Sequence, residues 1–408
     1  DGFKGTAATY QMFSVPYEMS DNSIANLFEP ALVGYSNTRW RLLHYDNGTL
    51  AEYPEQLKKI ELGNGYWFNT IVKDFSIKLA DAQVKAVTPS SPFSMTLKQG
   101  WNQIGDPYPF NVDWNAIVAA NPDAGLNALW LFEDGNYAKK DVLAAWKGAF
   151  VFSDNGGTLT FPLSARTNAG GRLVTHTPSL SDGEWMLPVT VLTGDVHTVF
   201  TTGMRTDASH GKDPYDEIAL PRFLQYVEVS TQHPEFFAPS FAGDIVPVAQ
   251  SHTWTFYAES NVEATSSFMT WDPSTIAHLD GDVLLYDVTS QVVVDMKRIG
   301  IYSYKPANGQ TFKVIRSQGM DLPEALTELT RAYPNPFVNA IRVPVWTETA
   351  DSHVKLEIFN SMGQPVHTVQ ENFVAPGLHE VQWNSEMRPD DIPSGLLFYR
   401  MQVNGQKT

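Results

Sequence analysis

The sequence lacks cysteine entirely. Disulfide bonds, thiol catalysis and thiolate metal sites are therefore excluded. The sequence also lacks any apolar run of the roughly 20 residues that a transmembrane helix needs. We therefore expect no membrane span, and we expect the stability of the protein to come from buried apolar area.

Basic residues are few. The 408-residue chain has 28 lysines and arginines against 45 acidic residues, which gives a formal net charge of −17. Such a charge repels nucleic acids and anionic membranes, and no basic cluster in the sequence offsets it. Nucleic acid is therefore not an expected partner.

Motifs of the common enzyme families are absent as well. The sequence has no Gly-x-Ser-x-Gly, His-Glu-x-x-His, phosphate-binding loop or dinucleotide fingerprint, and its ten histidines show no ligand spacing. Two acidic pairs, Asp280 with Asp282 and Glu133 with Asp134, would suit a glycosidase only if they faced each other across a cleft. Acidic pairs beside a glycine are more typical of hairpin turns, so we expect the chain not to be an enzyme.

Apolar and aromatic residues are plentiful, at 43% and 12% of the chain. These fractions are sufficient for packed cores and argue against disorder. We predict a mostly β fold of three domains, at residues 1–168, 172–320 and 330–408, because the chain is too long for one ordinary core. Asp1 is not an initiator and no signal sequence follows it, so we expect the natural protein to begin earlier.

The first predicted domain contains an internal repeat, with copies at about 8–85 and 97–165. In each copy an aromatic strand ends at a proline, a short helix follows, and a strand runs into an acidic glycine turn. A further glycine then precedes an aromatic strand. The expected helix N-caps are Asp21 in the first copy and Asn111 or Asp113 in the second. We predict two strand–helix–hairpin units that pack as one pseudo-symmetric, β-rich domain. The corresponding landmarks are Pro16 and Pro107, Gly48 and Gly135, and Gly65 and Gly148.

The second predicted domain has the pattern of a single β-sandwich from Leu173 to about Arg316. Its strand-like segments are rich in aromatic and β-branched residues. These segments are Trp185–Val191, Leu224–Val229, Thr253–Tyr257, Ser267–Trp271, Val283–Tyr286 and Thr311–Ile315.

An acidic loop lies within this domain. Asp207, Asp213, Asp216 and Glu217 could wrap a Ca²⁺ ion, which takes about six to eight oxygens from flexible loops. The spacing is not that of an EF-hand, and the alternative is a set of carboxylates that cap local backbone amides. The single histidine, His210, falls short of the ligand set of a catalytic zinc. Structural calcium is therefore a hypothesis, and no other cofactor is expected.

Aromatic residues in the repeat domain suggest a possible platform for sugar rings. The residues concerned are Tyr45, Tyr66, Trp67, Trp130 and Trp146. Aromatic residues in strand-like runs fill cores more often than they bind ligands, so we expect most of the five to be buried. One or two at a rim would be enough to bind a glycan.

The last predicted domain, from Ala332 to Thr408, alternates short strands with turns. Pro334 and Pro336 exclude a helix or a central strand at its start, so we predict a rigid, extended lead-in segment. Gly363 and Gly395 fall in the turns. The pattern predicts a small antiparallel, Ig-like β-sandwich. The strand-like segments are Ile341–Val345, Val354–Phe359, Gln364–Val369, Leu378–Trp383 and Leu396–Val403.

Several motifs of this last domain carry a family resemblance. They are the lead-in Tyr333-Pro334-Asn335-Pro336-Phe337, the run Leu356–Val366 with Gly363, Pro376–His379, and Ser394–Arg400 with Gly395. In order and spacing the domain resembles the C-terminal sorting domain of type IX secretion substrates. The resemblance implies the type IX machinery as a partner and a secreted or outer-surface location. Family members continue past the strand of Tyr399, so we expect the natural protein to extend beyond Thr408.

Other segments resemble parts of the same group of proteins. The segment 100–108 is similar to a recurring element in large surface proteins of Bacteroidetes-type bacteria. The segment from Leu285 to Val314 resembles β-domains that often precede type IX sorting domains. Neither likeness implies an activity. The alternative for the last domain is a plain stability module, such as the Ig-like domain of the flagellar hook cap.

Two functions are compatible with these observations. The first is a secreted or cell-surface structural or adhesive protein, a subunit of an extracellular assembly whose partners are copies of itself or other surface proteins. Open sandwich edges favour such assembly by strand addition. The second is a glycan-binding protein, or the non-catalytic C-terminal part of a larger secreted hydrolase.

Overall fold

The protein is described here by a computed structural model, which covers residues 10–79, 81–133, 136–168, 180–181, 183–307, 309–317, 332, 335, 337, 339–347, 351–374, 377–384 and 395–407. Within these residues the chain is mostly β, as predicted, with 29 strands and two α-helices. No helix in this part of the chain is long and apolar enough to cross a membrane. The chain divides into two compact units: unit 1 is 1–178 with 221–226, and unit 2 is 179–220 with 227–408.

Unit 1 contains two four-stranded antiparallel sheets. In chain order its elements are β1 (Gln11–Phe13), α1 (Ile24–Leu32), β2 (Trp40–Asp46), β3 (Thr49–Glu52), β4 (Tyr66–Thr70), β5 (Phe93–Leu97), β6 (Gly100–Gly105), β7 (Val112–Asp113), α2 (Trp114–Ala120), β8 (Leu126–Glu133), β9 (Asn136–Lys140), β10 (Val142–Leu143), β11 (Gly148–Ser153) and β12 (Gly157–Phe161). The sheet of the first copy has the order β1-β4-β2-β3, and the sheet of the second has the order β6-β11-β8-β9. The two copies therefore have the same strand order.

Each copy places its helix between its first strand and its hairpin. The cap of α2 is Asp113, one of the two predicted candidates, and its Oδ1 accepts a hydrogen bond from the amide of Ala116 (2.9 Å). The cap of α1 is Ser23 rather than Asp21. The carboxylate of Asp21 accepts instead from the amide of Ser23 (2.9 Å), which lies before the first helical residue, Ile24. The predicted Asp21 cap is thus wrong by two residues.

A pseudo-two-fold axis relates the two copies, and the contacts between them occur in equivalent pairs. Phe13 of the first copy forms an isolated bridge with Lys147 of the second. Ile104 and Asn64 form the other bridge. Ile104 is equivalent to Phe13, and Asn64 is equivalent to Lys147, so each bridge is the image of the other.

Two hydrogen bonds follow the same symmetry. The amide of Ser14 donates to the carbonyl of Trp146 (2.9 Å), and the amide of Gly105 donates to the carbonyl of Gly63 (2.7 Å). The two acceptors are also alike in conformation, with φ of 70° at Trp146 and 88° at Gly63. The left-handed backbone of Trp146, which is unusual for a residue with a side chain, thus follows from its place in the repeat.

Glycines permit the close approach of the copies. A Cβ atom on Gly65 would lie 2.4 Å from the carbonyl oxygen of Ile104, and one on Gly148 would lie 3.2 Å from the Cα of Gly65. The sequence repeat pairs Gly65 with Gly148. These two equivalent glycines therefore meet where the copies cross.

Three clusters of buried residues stabilise unit 1. One surrounds α1 and a second surrounds α2. The third, which we call the central cluster, lies between the facing sheets and consists of Tyr10, Met12, Leu43, Trp67, Phe132, Phe150 and Phe223. Phe223 comes from residues 221–226, far from the repeat in sequence.

Unit 2 begins with an eleven-stranded sheet that encloses one large core. Its strands are β13 (Trp185–Thr193), β14 (Val196–Arg205), β15 (Glu217–Ile218), β16 (Val227–Gln232), β17 (Ser240–Pro247), β18 (Ser251–Ser260), β19 (Ser267–Thr270), β20 (Asp282–Asp287), β21 (Val292–Asp295), β22 (Ile301–Tyr304) and β23 (Gln310–Ser317). Their order is β21-β20-β23-β18-β16-β17-β14-β13-β19-β22, with β15 paired to β17. The β14–β17 pair is parallel, and the other pairs are antiparallel.

The last six strands form a two-sheet sandwich with its own core. They are β24 (Ala340–Thr347), β25 (Ser352–Phe359), β26 (Pro365–Phe373), β27 (Gly377–Asn384), β28 (Phe398–Val403) and β29 (Gln406–Lys407). One sheet pairs β24 with β27, and the other has the order β26-β25-β28-β29. Trp383 and Leu356 are fully buried between the sheets.

Residues 221–226 depart from the sequence prediction in two ways. They were expected in the second domain, but they pack in unit 1. A strand was also expected from Leu224, whereas β16 starts at Val227. Leu224 has a φ of 28° and packs beside the central cluster, because the apolar residues of this segment bind a groove rather than a neighbouring strand.

Candidate functional site

A cleft of about 430 Å³ opens in unit 1 beside the contact between β2 and β6. This volume lies within the range of roughly 300–1,000 Å³ that is usual for ligand sites. Strand β2 contributes His44, Tyr45 and Asp46, and strand β6 contributes Trp101 and Gln103. The cleft is thus built from both copies of the repeat.

Gln103 joins the two copies at the wall of the cleft. Its side-chain oxygen accepts a hydrogen bond from the amide of Tyr45 (2.7 Å), which fixes the orientation of the amide group. The Nε2 atom is buried and has no hydrogen-bond partner in the described part of the chain. A buried, unpaired donor costs free energy, which an acceptor on a bound ligand would recover.

His44 is a neutral histidine at this site. Its Nδ1 lies 2.8 Å from the carbonyl oxygen of Gly65, and since a carbonyl can only accept, Nδ1 carries the hydrogen. Burial lowers the pKa of His44. Its Nε2 is therefore an acceptor, and the residue adds no positive charge to the cleft.

The charged residues of the cleft have a small positive balance. Three lysines, Lys58, Lys59 and Lys98, line it together with two carboxylates, Asp46 and Glu61. Lys98 forms an ion pair with Asp46 at 2.5 Å. The remaining balance of two lysines against one carboxylate contrasts with the net charge of −17 of the whole chain, so the cleft favours an acidic ligand over a basic one.

Two half-buried aromatic side chains, Trp101 and Tyr45, contribute to the apolar part of the cleft. Trp101 contacts Phe152 edge-on, with ring centroids 5.3 Å apart. Tyr45 contacts Phe150 in the same way at 5.2 Å. Because each ring is anchored by a buried phenylalanine, both are held ready to pack against a ligand.

On the opposite side of the pseudo-two-fold, the corresponding groove is already filled. Phe223 is 3% exposed and stacks on Trp67 with ring centroids 3.8 Å apart. It also meets the rings of Tyr10 (5.0 Å) and Phe132 (5.3 Å). The hydroxyl of Tyr137 donates to the carbonyl of residue 221 (3.2 Å). Residues 221–226 thus bind unit 1 through one aromatic anchor and a backbone hydrogen bond.

The repeat register identifies the open cleft as the counterpart of this groove. Because Gly65 is equivalent to Gly148, Trp67 is equivalent to Phe150. Their strand partners, Met12 and Gln103, are then equivalent as well. Tyr10 and Trp101, two residues before these partners, are therefore also equivalent. By the same alignment of the hairpins, Phe132 is equivalent to Tyr45. Two of the three rings that hold Phe223 thus have equivalents that line the cleft.

The aromatic residues predicted as a sugar platform fall into two groups. Trp67 and Tyr66 are buried in cores, as expected for most of the five. Tyr45 and Trp130 are half-buried, and Trp146 is 44% exposed. Tyr45 and the buried Tyr66 line the cleft, and the other three do not. Glycan binding stays a prediction.

The acidic loop of unit 2 engages its carboxylates locally. Asp213 accepts hydrogen bonds from the amides of Ser209 (2.7 Å) and Tyr215 (2.8 Å). Asp216 accepts from the amides of Asp213 (2.9 Å) and Ile245 (3.0 Å), and burial raises its pKa to about 7. These two carboxylates cap backbone amides, which is the alternative to calcium binding.

The other acidic residues of this loop also have separate partners. The Arg205 guanidinium lies 2.9 Å from Asp207 and lowers the pKa of that carboxyl. Glu217 lies on β15, and the ring of His210 stacks on that of His252 at 6.1 Å. Among the described residues, no group of three or more histidine, aspartate or glutamate side chains is arranged to hold a metal ion. The calcium hypothesis therefore gains no support from the geometry.

The predicted sorting-motif residues lie only partly within the described chain. Tyr333, Pro334 and Pro336 fall outside it, and Asn335 is exposed. Phe337 packs on the core of the last sandwich, with its ring 5.7 Å from that of Trp383.

The two motif glycines lie in turns, as predicted. The φ angles are 76° at Gly363 and 135° at Gly395, a region that favours glycine. The amide of Gly363 donates to the carbonyl of Asn360 (2.9 Å). A residue with a Cβ would strain either turn.

Comparisons with known proteins add no relative. The sequence matches no protein-family model, and no curated protein and no solved structure is significantly similar to it.

Sequence reasoning had not singled out Trp101 and Gln103 as binding residues. The repeat itself contained a signal, because Gln103 occupies the position that the apolar Met12 has in the other copy. A polar residue at a position that is apolar in the other copy marks the place where the symmetry of the core is broken.

Proposed function

We propose that the chain is a structural or adhesive protein of the cell surface, exported through its last sandwich by a type IX-like route. One observation supports this most strongly. Phe337, the last residue of the lead-in motif, packs against the core next to Trp383, so this residue is attached to the folded sandwich. A recognition element held on a rigid scaffold is presented in one geometry to a receptor.

The turn glycines support the same proposal. Gly363 and Gly395 both require positive φ, and both belong to the segments that resemble the sorting family. The turn of Gly363 is closed by Asn360, whose side-chain oxygen accepts from the amides of Met362 (3.0 Å) and Gln364 (3.0 Å). These motif residues therefore determine the shape of the backbone at the turn.

One edge of the last sandwich is protected against strand addition. Glu371 on the edge strand β26 pairs with Val354, a core residue of β25, and so lies on the inward face. Burial raises the pKa of Glu371. An inward-facing carboxyl on an edge strand is a known device against edge-to-edge pairing. Contacts in an assembly are therefore expected elsewhere than at β26.

Export is tested in a bacterium that possesses the type IX machinery and in an otherwise identical strain that lacks it. The full-length natural protein is expected on the surface or in the medium of the first strain and inside the cells of the second. A Phe337→Ala variant is expected to be exported less, and Phe268→Ala serves as its matched control because Phe268 is exposed and lies outside the last sandwich. Equal distribution of the protein in the two strains would rule the export route out.

A further inference from the structure

The turn between β16 and β17, at residues 233–239, carries an exposed aromatic side chain. Phe237 is 65% exposed. Its neighbour Phe236 packs inward, with its ring 5.8 Å from that of Phe241. Pro234 and Pro239 flank the pair and restrict the backbone. We call this segment the Phe237 loop.

The Phe237 loop is closed by hydrogen bonds of its own. The amide of His233 donates to the carbonyl of Pro239 (2.7 Å), and the amide of Phe236 donates to the carbonyl of His233 (3.1 Å). The ring of His233 packs 4.7 Å from that of Phe241. Phe237 is therefore presented on a pre-formed loop, and burying it against a partner would cost little conformational entropy.

The Phe237 loop repeats the pattern of the segment that fills the groove of unit 1. That segment reads Pro221-Arg222-Phe223-Leu224, and the loop reads Pro234-Glu235-Phe236-Phe237. Both have proline, a charged residue, phenylalanine and an apolar residue in this order. Phe236 has the position of Phe223 but packs on Phe241, so the exposed ring of the loop is one residue later, at Phe237. The first occupies a groove whose pseudo-symmetric counterpart is open.

The charges of the Phe237 loop and the cleft are complementary. The side chain of Glu235 is 55% exposed, and its Oε1 lies 3.3 Å from Nδ1 of His233 in the same loop. The cleft has three lysines against two carboxylates. The segment in the filled groove has Arg222 where the loop has Glu235, so the loop suits the lysine-rich cleft better than that segment does.

We propose that the cleft of one copy of the chain binds the Phe237 loop of a second copy. Phe237, the exposed ring of the loop, would pack against Trp101 and Tyr45, and a backbone carbonyl would accept from Nε2 of Gln103. The contact joins two different surfaces and is therefore heterologous, so it propagates into a ring or a filament. The contact makes a second copy of the chain the partner in the proposed structural role. It rests on the geometry of the cleft and the Phe237 loop, and not on the export route.

Sedimentation of the purified full chain at rising concentration tests the contact. The chain is expected to associate, and Phe237→Ala is expected to weaken association by about 30-fold, as for loss of an aromatic anchor. Thr96→Trp, which places a large side chain at an exposed position lining the cleft, is expected to do the same. Phe398→Ala removes another exposed phenylalanine and is expected to change nothing.

Mixing the two variants separates lost binding from misfolding. Phe237→Ala retains an intact cleft and Thr96→Trp retains an intact loop, so the mixture is expected to form a 1:1 complex that grows no further. A synthetic peptide of residues 233–239 is expected to compete with this complex. A wild-type chain that stays monomeric, or a mixture that forms no complex, would overturn the proposal. Competition by soluble oligosaccharides but not by the peptide would assign the cleft to glycans and overturn it as well.

Discussion

Replacing Phe223 by alanine tests whether residues 221–226 are an integral part of unit 1. The side chain is 3% exposed and stacks on Trp67 at 3.8 Å, within a cluster that holds both sheets together. Truncating a buried phenylalanine costs about 3–5 kcal/mol of unfolding free energy. At about 2–4 °C for each kcal/mol in a domain of this size, the melting temperature of unit 1 should fall by roughly 6–20 °C.

The assay is calorimetric unfolding of the full chain, with tryptophan fluorescence as a second probe because Trp67 is the stacking partner. Phe398→Ala is the matched control. Its side chain is 52% exposed, so the change in unfolding free energy should stay within about 0.5 kcal/mol. Similar small shifts for both variants would refute the view that Phe223 anchors the segment in the groove.

Three further predictions concern stability. Gly105→Ala should lower the free energy of unfolding by about 3 kcal/mol or more, because the new Cβ would lie 2.3 Å from the Cβ of Ser14. Gly48→Ala has no atom within 4 Å and should lower it by about 1–2 kcal/mol, because φ is positive there. Chemical denaturation of the two variants measures the difference. Burial raises the pKa of Asp106 from 3.8 to about 8, so the folded state retains a proton that the unfolded state has lost, and stability should fall as pH rises between those values. Asp106→Asn should flatten that dependence in melting curves, and an unchanged slope would contradict it. A chelator should leave the melting temperature unchanged, because the carboxylates of the acidic loop cap amides; a large drop would restore the calcium hypothesis.

The architecture of unit 1 followed from local signals. Glycines and prolines recur at matching places in the two copies of the sequence repeat. Gly65 and Gly148 are the clearest case, since the structure brings these repeat-equivalent residues together. The cap of α2 at Asp113 was also readable, because a side chain that caps a helix lies within three residues of its target.

The packing of segments that are distant in sequence could not be predicted from local signals. Leu224 looked like the start of a strand, yet residues 221–226 pack in unit 1, and no local pattern specifies that choice. Trp67 and Trp146 look alike in sequence, but one is fully buried and the other is 44% exposed. The cleft depends on which residues of one copy face the other, and this is determined only when both sheets are in place.

Photo-cross-linking tests the proposed contact between copies of the chain through the cleft most directly. A photoreactive phenylalanine analogue replaces Phe237 in the full chain, and isotope-labelled and unlabelled chains are mixed before illumination. We expect cross-linked peptides that join a labelled chain to an unlabelled one. They should link position 237 to β2 or β6, near Tyr45 and Trp101. Cross-links confined to one chain, or directed to other surfaces, would contradict it.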